Sequence, residues 1–181
     1  MTQRQTARIA VVTVSDRASR GEYEDKSGPA AEAWLREVIV SPMEITRRII
    51  PDGREGVAVT LRQLADGDGA DLILVTGGTG PAPRDETPEA MAEVIEKELP
   101  GFGEEMRRAS LAEGVPTAIL SRQTAGIRDA CLMISLPGKP AAIATCLNAV
   151  FAAVPYCLDL IGAARIETDP ARIAAFRPKS G

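Results

Sequence analysis

The stretch Asp71-Leu72-Ile73-Leu74-Val75-Thr76-Gly77-Gly78-Thr79-Gly80-Pro81 decides the fold. Its opening is an apolar, partly β-branched run that reads as a buried strand. The glycines that follow let the backbone turn tightly and approach a ligand closely. Beyond Arg84-Asp85, Thr87 suits a helix N-cap and Pro88 the first helical position. Met91, Val94, Ile95 and Leu99 then recur at helical spacing, which predicts one helix carrying all four. A glycine-rich loop therefore joins the carboxyl end of a strand to the start of a helix. Successive N–H groups on such a loop suit a phosphate, and Asp85 would hold the metal that a polyphosphate brings. Read alone, the loop is equally a plain turn between two elements. Neither G-x-x-x-x-G-K-[ST] nor G-x-G-x-x-G is present to decide between them.

Working outward, the same alternation recurs. Arg8 to Val14 reads as a strand that ends in Ser15-Asp16-Arg17, and a polar loop leads to Pro29, which opens a helix with Ala33, Trp34 and Val38 on one face. A second strand over Glu44 to Ile50 stops at Pro51-Asp52-Gly53, and Arg54 to Ala65 suits a helix. After Pro100-Gly101-Phe102-Gly103 a short helix runs through Leu111, and Thr117 to Leu120 and Cys131 to Leu136 read as further strands. Pro137-Gly138-Lys139-Pro140 leads into the apolar stretch 141–164. Asn148, Pro155 and Asp159 interrupt that stretch, which favours a core helix bent near Pro155 over a membrane span. So apolar a helix also suits part of an interface between copies of the chain.

Strands alternating with helices predict an α/β fold, its sheet mainly parallel and flanked by helices on both faces. One domain is expected over 1–164, with a polar tail over 165–181 lying on the surface or loose. Ligands in such folds bind beyond the carboxyl ends of the strands. Four such ends carry Ser15-Asp16, Pro51-Asp52-Gly53, the 76–85 loop and Pro137-Gly138, which gathers Asp16, Asp52 and Asp85 on one rim. Carboxylates beside an anion cradle repel phosphate unless a divalent cation stands between them, which favours a Mg²⁺-nucleotide over a bare phosphate.

Composition removes several alternatives. A net charge of −4 and 3% aromatic residues argue against a nucleic-acid binder, which needs a basic face or a stacking platform. The absence of histidine removes a Ser–His or Cys–His nucleophile pair and any His-bound zinc. Cys131, Cys146 and Cys157 are widely spaced with no C-x-x-C, which predicts buried, reduced thiols. Met1 to Ala7 is polar and resembles no signal segment, so a cytoplasmic protein is expected.

Together these segments resemble the MogA-type molybdopterin adenylyltransferases. The resemblance rests on Val14-Ser15-Asp16-Arg17-Ala18-Ser19, Asp25-Lys26 with Gly28-Pro29, Ile50-Pro51-Asp52, Thr76-Gly77-Gly78-Thr79-Gly80-Pro81 with Arg84-Asp85, Pro100-Gly101-Phe102-Gly103-Glu104, Leu120-Ser121-Arg122 and Leu136-Pro137-Gly138. Their order and spacing run from about Arg8 to Leu160, and Phe176-Arg177-Pro178-Lys179-Ser180 adds to them. The resemblance implies a molybdopterin-binding fold, usually trimeric, that transfers AMP from Mg-ATP to molybdopterin one step before molybdenum insertion. It implies that Asp52 and Asp85 are catalytic and hold Mg²⁺, and that Thr76, Gly77, Gly78, Thr79 and Gly80 contact the nucleotide. Ser15, Asp16, Ser121, Pro137 and Gly138 would line the substrate, and the product would pass to the insertion enzyme.

Each of these residues also has a structural explanation. Asp52 suits a Pro-Asp-Gly turn, Asp85 the positive end of the next helix, and Ser15-Asp16 a local side-chain turn. Lys139 is a candidate phosphate contact or a solvated lysine, and Arg17, Arg84 and Arg122 are given no role. A molybdenum-inserting enzyme would be expected to carry further domains. A molybdopterin carrier without chemistry would have no need of carboxylates facing a polyphosphate loop.

Overall fold

The computed structural model describes residues 4–179. Ser180 of the tail motif and the first three residues of the polar start lie outside them. In chain order the elements are β1 (Ala7–Val14), α1 (Asp16–Ser19), α2 (Ser27–Val38), β2 (Met43–Ile50), α3 (Arg54–Arg62), β3 (Leu72–Thr76) and α4 (Thr87–Val94). They continue with β4 (Lys97–Glu98), α5 (Pro100–Ala112), β5 (Ala125–Arg128), β6 (Cys131–Leu136), α6 (Pro140–Val150) and α7 (Val154–Ile161). A π turn over Gln63–Gly67 extends α3, and 3₁₀ turns span Pro116–Leu120 and Phe151–Ala153.

The six strands form one sheet in the order β2-β1-β3-β6-β5-β4. The first four are parallel, while β5 and β4 run antiparallel along one edge. Register is what builds the rim. Thr13 pairs with both Ile49 and Thr76, and Thr76 pairs with Leu136, so the four parallel strands finish at the same level. The loops after them necessarily emerge side by side.

Alternate residues of the central strands feed two cores. Ile9, Val11, Leu72, Leu74, Leu132 and Ile134 pack with Trp34, Met106, Leu147, Phe151 and Leu158 on the face covered by α2, α5, α6 and α7. Ala10, Val12, Ile73, Val75 and Met133 pack with Val57, Leu61, Met91 and Val94 of α3 and α4 on the other. Burial on both faces is why these strands read as continuous apolar runs. The expected α/β fold, helices on both faces included, is the one observed.

The apolar stretch is a core helix. Pro140–Ile161 is apolar and long enough to span a membrane by composition, with a mean hydropathy of 1.8. The 3₁₀ turn at Phe151–Ala153 breaks it just before Pro155, where α7 starts. Ile143, Leu147, Phe151, Val154 and Leu158 are buried against the sheet. Asn148, a polar interruption in the sequence, accepts the indole N–H of Trp34 at 3.0 Å, and Trp34 meets Phe151 edge-on with centroids 4.8 Å apart.

Three expectations are corrected. Thr117 to Leu120 is not a strand but part of a 3₁₀ turn, closed by Ala118 N–H to Val115 and Ser121 N–H to Ala118. Ile119 and Leu120 are largely exposed, so no partner layer covers the face a strand would need to bury. The helix after Thr87 stops at Val94, and Leu99 lies beyond β4. Ile95 instead leaves the helix and rests on Gly126, where an added Cβ would come within 2.6 Å of it. Thr87 does not cap the helix. It is the first helical residue, and its hydroxyl donates to the Gly77 carbonyl at 2.9 Å.

The tail beyond Ala164, expected on the surface or loose, keeps most of its described residues at least partly exposed and is tied down at particular points. Ile166, Thr168 and Ile173 are buried, Thr168 bridges to Ile39, and Arg177 pairs with Asp159 and Glu167.

At the far end of the sheet from the rim, the Asp71 carboxylate is 1% exposed. It accepts the N–H of Arg8 and of Ala164 at 2.8 Å each and pairs with Arg4. It thereby ties β1, β3 and the segment after α7 together. Asp71→Ala leaves the buried Ala164 N–H and the part-buried Arg8 N–H without acceptors and is expected to cost about 2–4 kcal/mol, read as a lower midpoint in urea unfolding.

Candidate active site

The glycine loop is seated between its neighbours with no room to spare. Gly77 has φ +98°, and a Cβ there would stand 2.3 Å from the Val14 carbonyl oxygen. Its N–H donates to the Leu136 carbonyl at 3.1 Å, so the loop is pinned to both flanking strands as it leaves β3. Gly78 has φ +64°, and a Cβ there would lie 2.4 Å from the Thr87 hydroxyl and 3.4 Å from Asp52 Oδ1. Thr87 holds the turn by donating its N–H to Gly78 and its hydroxyl to Gly77. The N–H groups of Gly78, Thr79 and Gly80 are left without a protein partner among the described residues. Consecutive free N–H groups after a left-handed glycine form a concave anion site. Gly77 belongs to its frame, its own N–H being engaged.

Arg122 fastens the far end of the loop. Its N–H donates to the Thr79 carbonyl at 2.8 Å, its guanidinium reaches the carbonyls of Gly80 and Asp85, and it pairs with Glu89. Thr79 Oγ1 and Ser121 Oγ are 3.1 Å apart. The Thr76 hydroxyl donates to the Pro137 carbonyl at 2.9 Å, and the Ser27 hydroxyl donates to the Gly138 carbonyl at 2.7 Å.

Three carboxylates stand on this rim, and their environments differ. Asp16 and Asp52 are cross-braced, each accepting the other's backbone N–H, at 2.7 Å to Asp52 Oδ2 and 3.1 Å to Asp16 Oδ1. Arg84 grips both oxygens of Asp16 at 2.9 and 2.8 Å and also donates to the Asp52 carbonyl. These hydrogen bonds from Arg84 hold the Asp16 carboxyl below its usual range. Burial, reinforced by the charges of Asp16 and Asp85, pushes the Asp52 carboxyl upward. Asp85 closes its own loop: its N–H donates to Ala82, and its Oδ2 accepts the Ala82 N–H at 3.1 Å. Ser15 caps α1, its hydroxyl accepting the Ala18 N–H at 3.2 Å.

Two cavities share this wall. The larger, about 460 Å³, is lined by the glycine loop, Asp85, Ser121, Gln123, Gly138 and Lys139. The smaller, about 250 Å³, is lined by Ser15, Tyr23, Asp25, Asp52 and Gly138. Gly77, Gly78, Asp85 and Gly138 belong to both. The site residues expected from the sequence line one or both of these cavities except Asp16, which lines neither and stands behind Asp52 on Arg84.

Arg84 and Arg122, given no role from sequence, position that centre. So does Asp25, which accepts the Thr13 hydroxyl and the N–H groups of Ser27 and Gly28 and so links β1 to the start of α2. No local signal separates Arg84 and Arg122 from other charged loop residues, because their partners lie far along the chain, whereas Asp25 binds N–H groups two and three residues on. The three cysteines are free, and burial pushes the Cys131 and Cys146 thiols up to about 12 and about 11. Neither thiol supplies a nucleophile.

Among the described residues no group of three or more His, Cys, Asp or Glu stands ready to hold a metal alone. Mg²⁺ is bound through one or two carboxylates together with substrate phosphates. Asp52 and Asp85, two carboxylates lining the same cavity, fit a cation that arrives with a polyphosphate.

A mainly parallel sheet flanked by helices, with a glycine loop and three carboxylates at its carboxyl rim, defines an α/β protein with a candidate ligand site. The chain belongs to the family described as the probable molybdopterin binding domain, whose model matches residues 10–156. It is 52% identical over 175 residues to a molybdopterin adenylyltransferase of Helicobacter pylori J99, covering 97% of this chain and 99% of that protein. It is 48% identical to the molybdopterin adenylyltransferase of Escherichia coli K12, covering 97% of this chain and 95% of that one. Among solved structures, the molybdopterin biosynthesis enzyme MoaB of Thermus thermophilus superposes with a TM-score of 0.80 at 39% identity, over 89% of this chain and 99% of that one.

The raised Asp52 carboxyl has a consequence for stability. The folded state holds this proton more tightly than the unfolded chain, so wild-type stability falls as pH rises from the ordinary carboxylate value to the raised one. Asp52→Asn keeps an oxygen to accept the Asp16 N–H and removes that penalty. The variant is expected to melt above wild type at neutral pH, with the gain shrinking as pH falls through the Asp52 range, followed by thermal unfolding across pH.

Proposed function

We propose that this chain is a molybdopterin adenylyltransferase, moving AMP from Mg-ATP to the terminal phosphate of molybdopterin and releasing pyrophosphate. One observation carries the reading beyond the family. The three unpartnered N–H groups of Gly78, Thr79 and Gly80 belong to residues lining the larger cavity, which shares Gly78 and Asp85 with the smaller one that Asp52 lines. Two cavities meeting at one anion site suit two phosphate-bearing substrates that must be brought end to end.

The chemistry needs little beyond that geometry. The terminal phosphate of molybdopterin is ionised at neutral pH and attacks the α-phosphorus of ATP in line as pyrophosphate leaves. No general base and no covalent intermediate is required, which accords with a chain that has no histidine and whose buried thiols stay protonated. Catalysis then comes from alignment and charge neutralisation. The N–H groups of Gly78 to Gly80 would stabilise charge on the transferring group. Mg²⁺ would arrive with the triphosphate and be held by Asp85 and Asp52, which line the same cavity. Arg84 takes up the charge of Asp16 and keeps Asp52 in place through its carbonyl. Ser15, Ser121, Pro137 and Gly138 would line the substrates. Lys139, which is exposed and forms no ion pair among the described residues, is free to meet a phosphate.

The protein is proposed to be cytoplasmic and to pass its product to a molybdenum-inserting enzyme. It is also proposed to be a homotrimer. An apolar groove lined by Leu99, Phe102, Ala149, Ala152 and Ala153, together with the exposed Leu160, supports an interface between copies. Sedimentation at micromolar concentration should show three chains per particle, and a monomer would count against the trimer.

The deciding measurement is pyrophosphate release and product mass from the purified protein with molybdopterin, ATP and Mg²⁺. Adenylylated molybdopterin is expected, and Asp85→Asn should slow its formation about 100- to 1,000-fold while leaving the fold intact. Tight molybdopterin binding without pyrophosphate release would point to a carrier instead.

A further inference from the structure

One polar side chain in the larger cavity has nothing to bond. Gln123 is 1% exposed, and neither Nε2 nor Oε1 of its carboxamide has a hydrogen-bond partner. Its main chain is held firmly. The Gln123 carbonyl accepts from Arg107 at 2.9 Å and would lie 2.2 Å from a Cβ on Gly103. Other polar groups in the same wall are engaged: Ser110 donates to the Met106 carbonyl, Thr145 donates to Glu113, and Ser121 meets Thr79. A buried amide with both ends unpaired is rare in a native protein, and each unpaired end carries a desolvation cost.

A carboxamide presents a donor and an acceptor side by side in one plane. Its complement is a planar group with an acceptor next to a donor, such as the edge of a nitrogen heterocycle. Gln123 lines the cavity whose wall carries the glycine loop that would hold the phosphate end, and its carboxamide, closed off in the ligand-free fold, would turn into that space when a heterocycle enters. Resting on the transferase reading, we propose that Gln123 is a specificity residue that hydrogen-bonds the donor–acceptor edge of a substrate heterocycle. Both substrates carry such an edge: adenine in its 6-amino group and N7, and the pterin in its amino-oxo-pyrimidine ring.

The test compares wild type with Gln123→Met and Gln123→Leu, which keep the bulk and remove the hydrogen-bonding groups. Circular dichroism and thermal unfolding report the fold, and calorimetry reports the dissociation constants of Mg-ATP and of molybdopterin separately. Purine riboside triphosphate, which lacks the 6-amino group, replaces ATP in a parallel titration. The variants are expected to be at least as stable as wild type, because an unsatisfied amide has been removed. The dissociation constant of one substrate should rise about 10- to 100-fold while that of the other stays unchanged. If ATP weakens and the variants cease to distinguish it from purine riboside triphosphate, adenine is the group read. If molybdopterin weakens instead, the pterin is. Unchanged affinities for both substrates, equal losses for both, or failure of both variants to fold would each overturn the assignment. Wild type binding neither substrate would overturn the transferase reading, and the assignment with it.

Discussion

Everything at the rim depends on how closely β3 ends between its two parallel neighbours. At Gly77 the backbone runs against the Val14 carbonyl on one side and hydrogen-bonds the Leu136 carbonyl on the other. Only a residue without a side chain passes through that gap, and only a left-handed turn then aims the N–H groups of Gly78, Thr79 and Gly80 outward together. The common register of β1, β2, β3 and β6 puts Ser15, Asp52 and Pro137 beside the same turn. An anion site, its acidic neighbours and two cavities thus follow from four strands ending level.

Charge at the rim is arranged so that one carboxylate is quiet and another is not. Arg84 neutralises Asp16, while Asp52, an equal partner in the same backbone brace, is left half-buried between two negative neighbours. An arrangement that raises one carboxyl and lowers the one beside it does little for stability alone, and it becomes reasonable when a cation enters with the ligand. This division of labour suits a chain without histidine. On the proposed chemistry nothing has to shuttle a proton, and the work would fall to fixed dipoles, a cation and alignment.

Much of this was legible beforehand. Strands buried on both faces are written as uninterrupted apolar runs, so Arg8 to Val14, Asp71 to Val75 and Cys131 to Leu136 were read to within a residue or so of the strands observed. The break near Pro155 followed from a ring that cannot sit inside a helix. The failures were short segments. Thr117 to Leu120 has strand-like composition, yet its fate was set by the lack of any layer to cover Ile119 and Leu120. β5 went unrecognised because four residues containing a glycine carry no period, and Gly126 is required only by the side chain of Ile95 lying across it.

The sequence by itself determined the layers, the parallel sheet and the loops that would share a rim, because hydrophobic period, glycine and proline are local properties that act wherever the chain goes. It also named Asp16, Asp52, Asp85 and the glycine loop, since chemistry at the carboxyl ends of parallel strands follows from topology. Only the tertiary structure decided which of those groups are free. Gly77 donates its N–H to Leu136, Asp16 is bound by Arg84, Arg122 holds the loop from 42 residues away, and Gln123 is left buried with no partner for its side chain. Whether a polar atom is satisfied depends on what lies within about 3 Å of it, and those neighbours are brought together from distant parts of the chain.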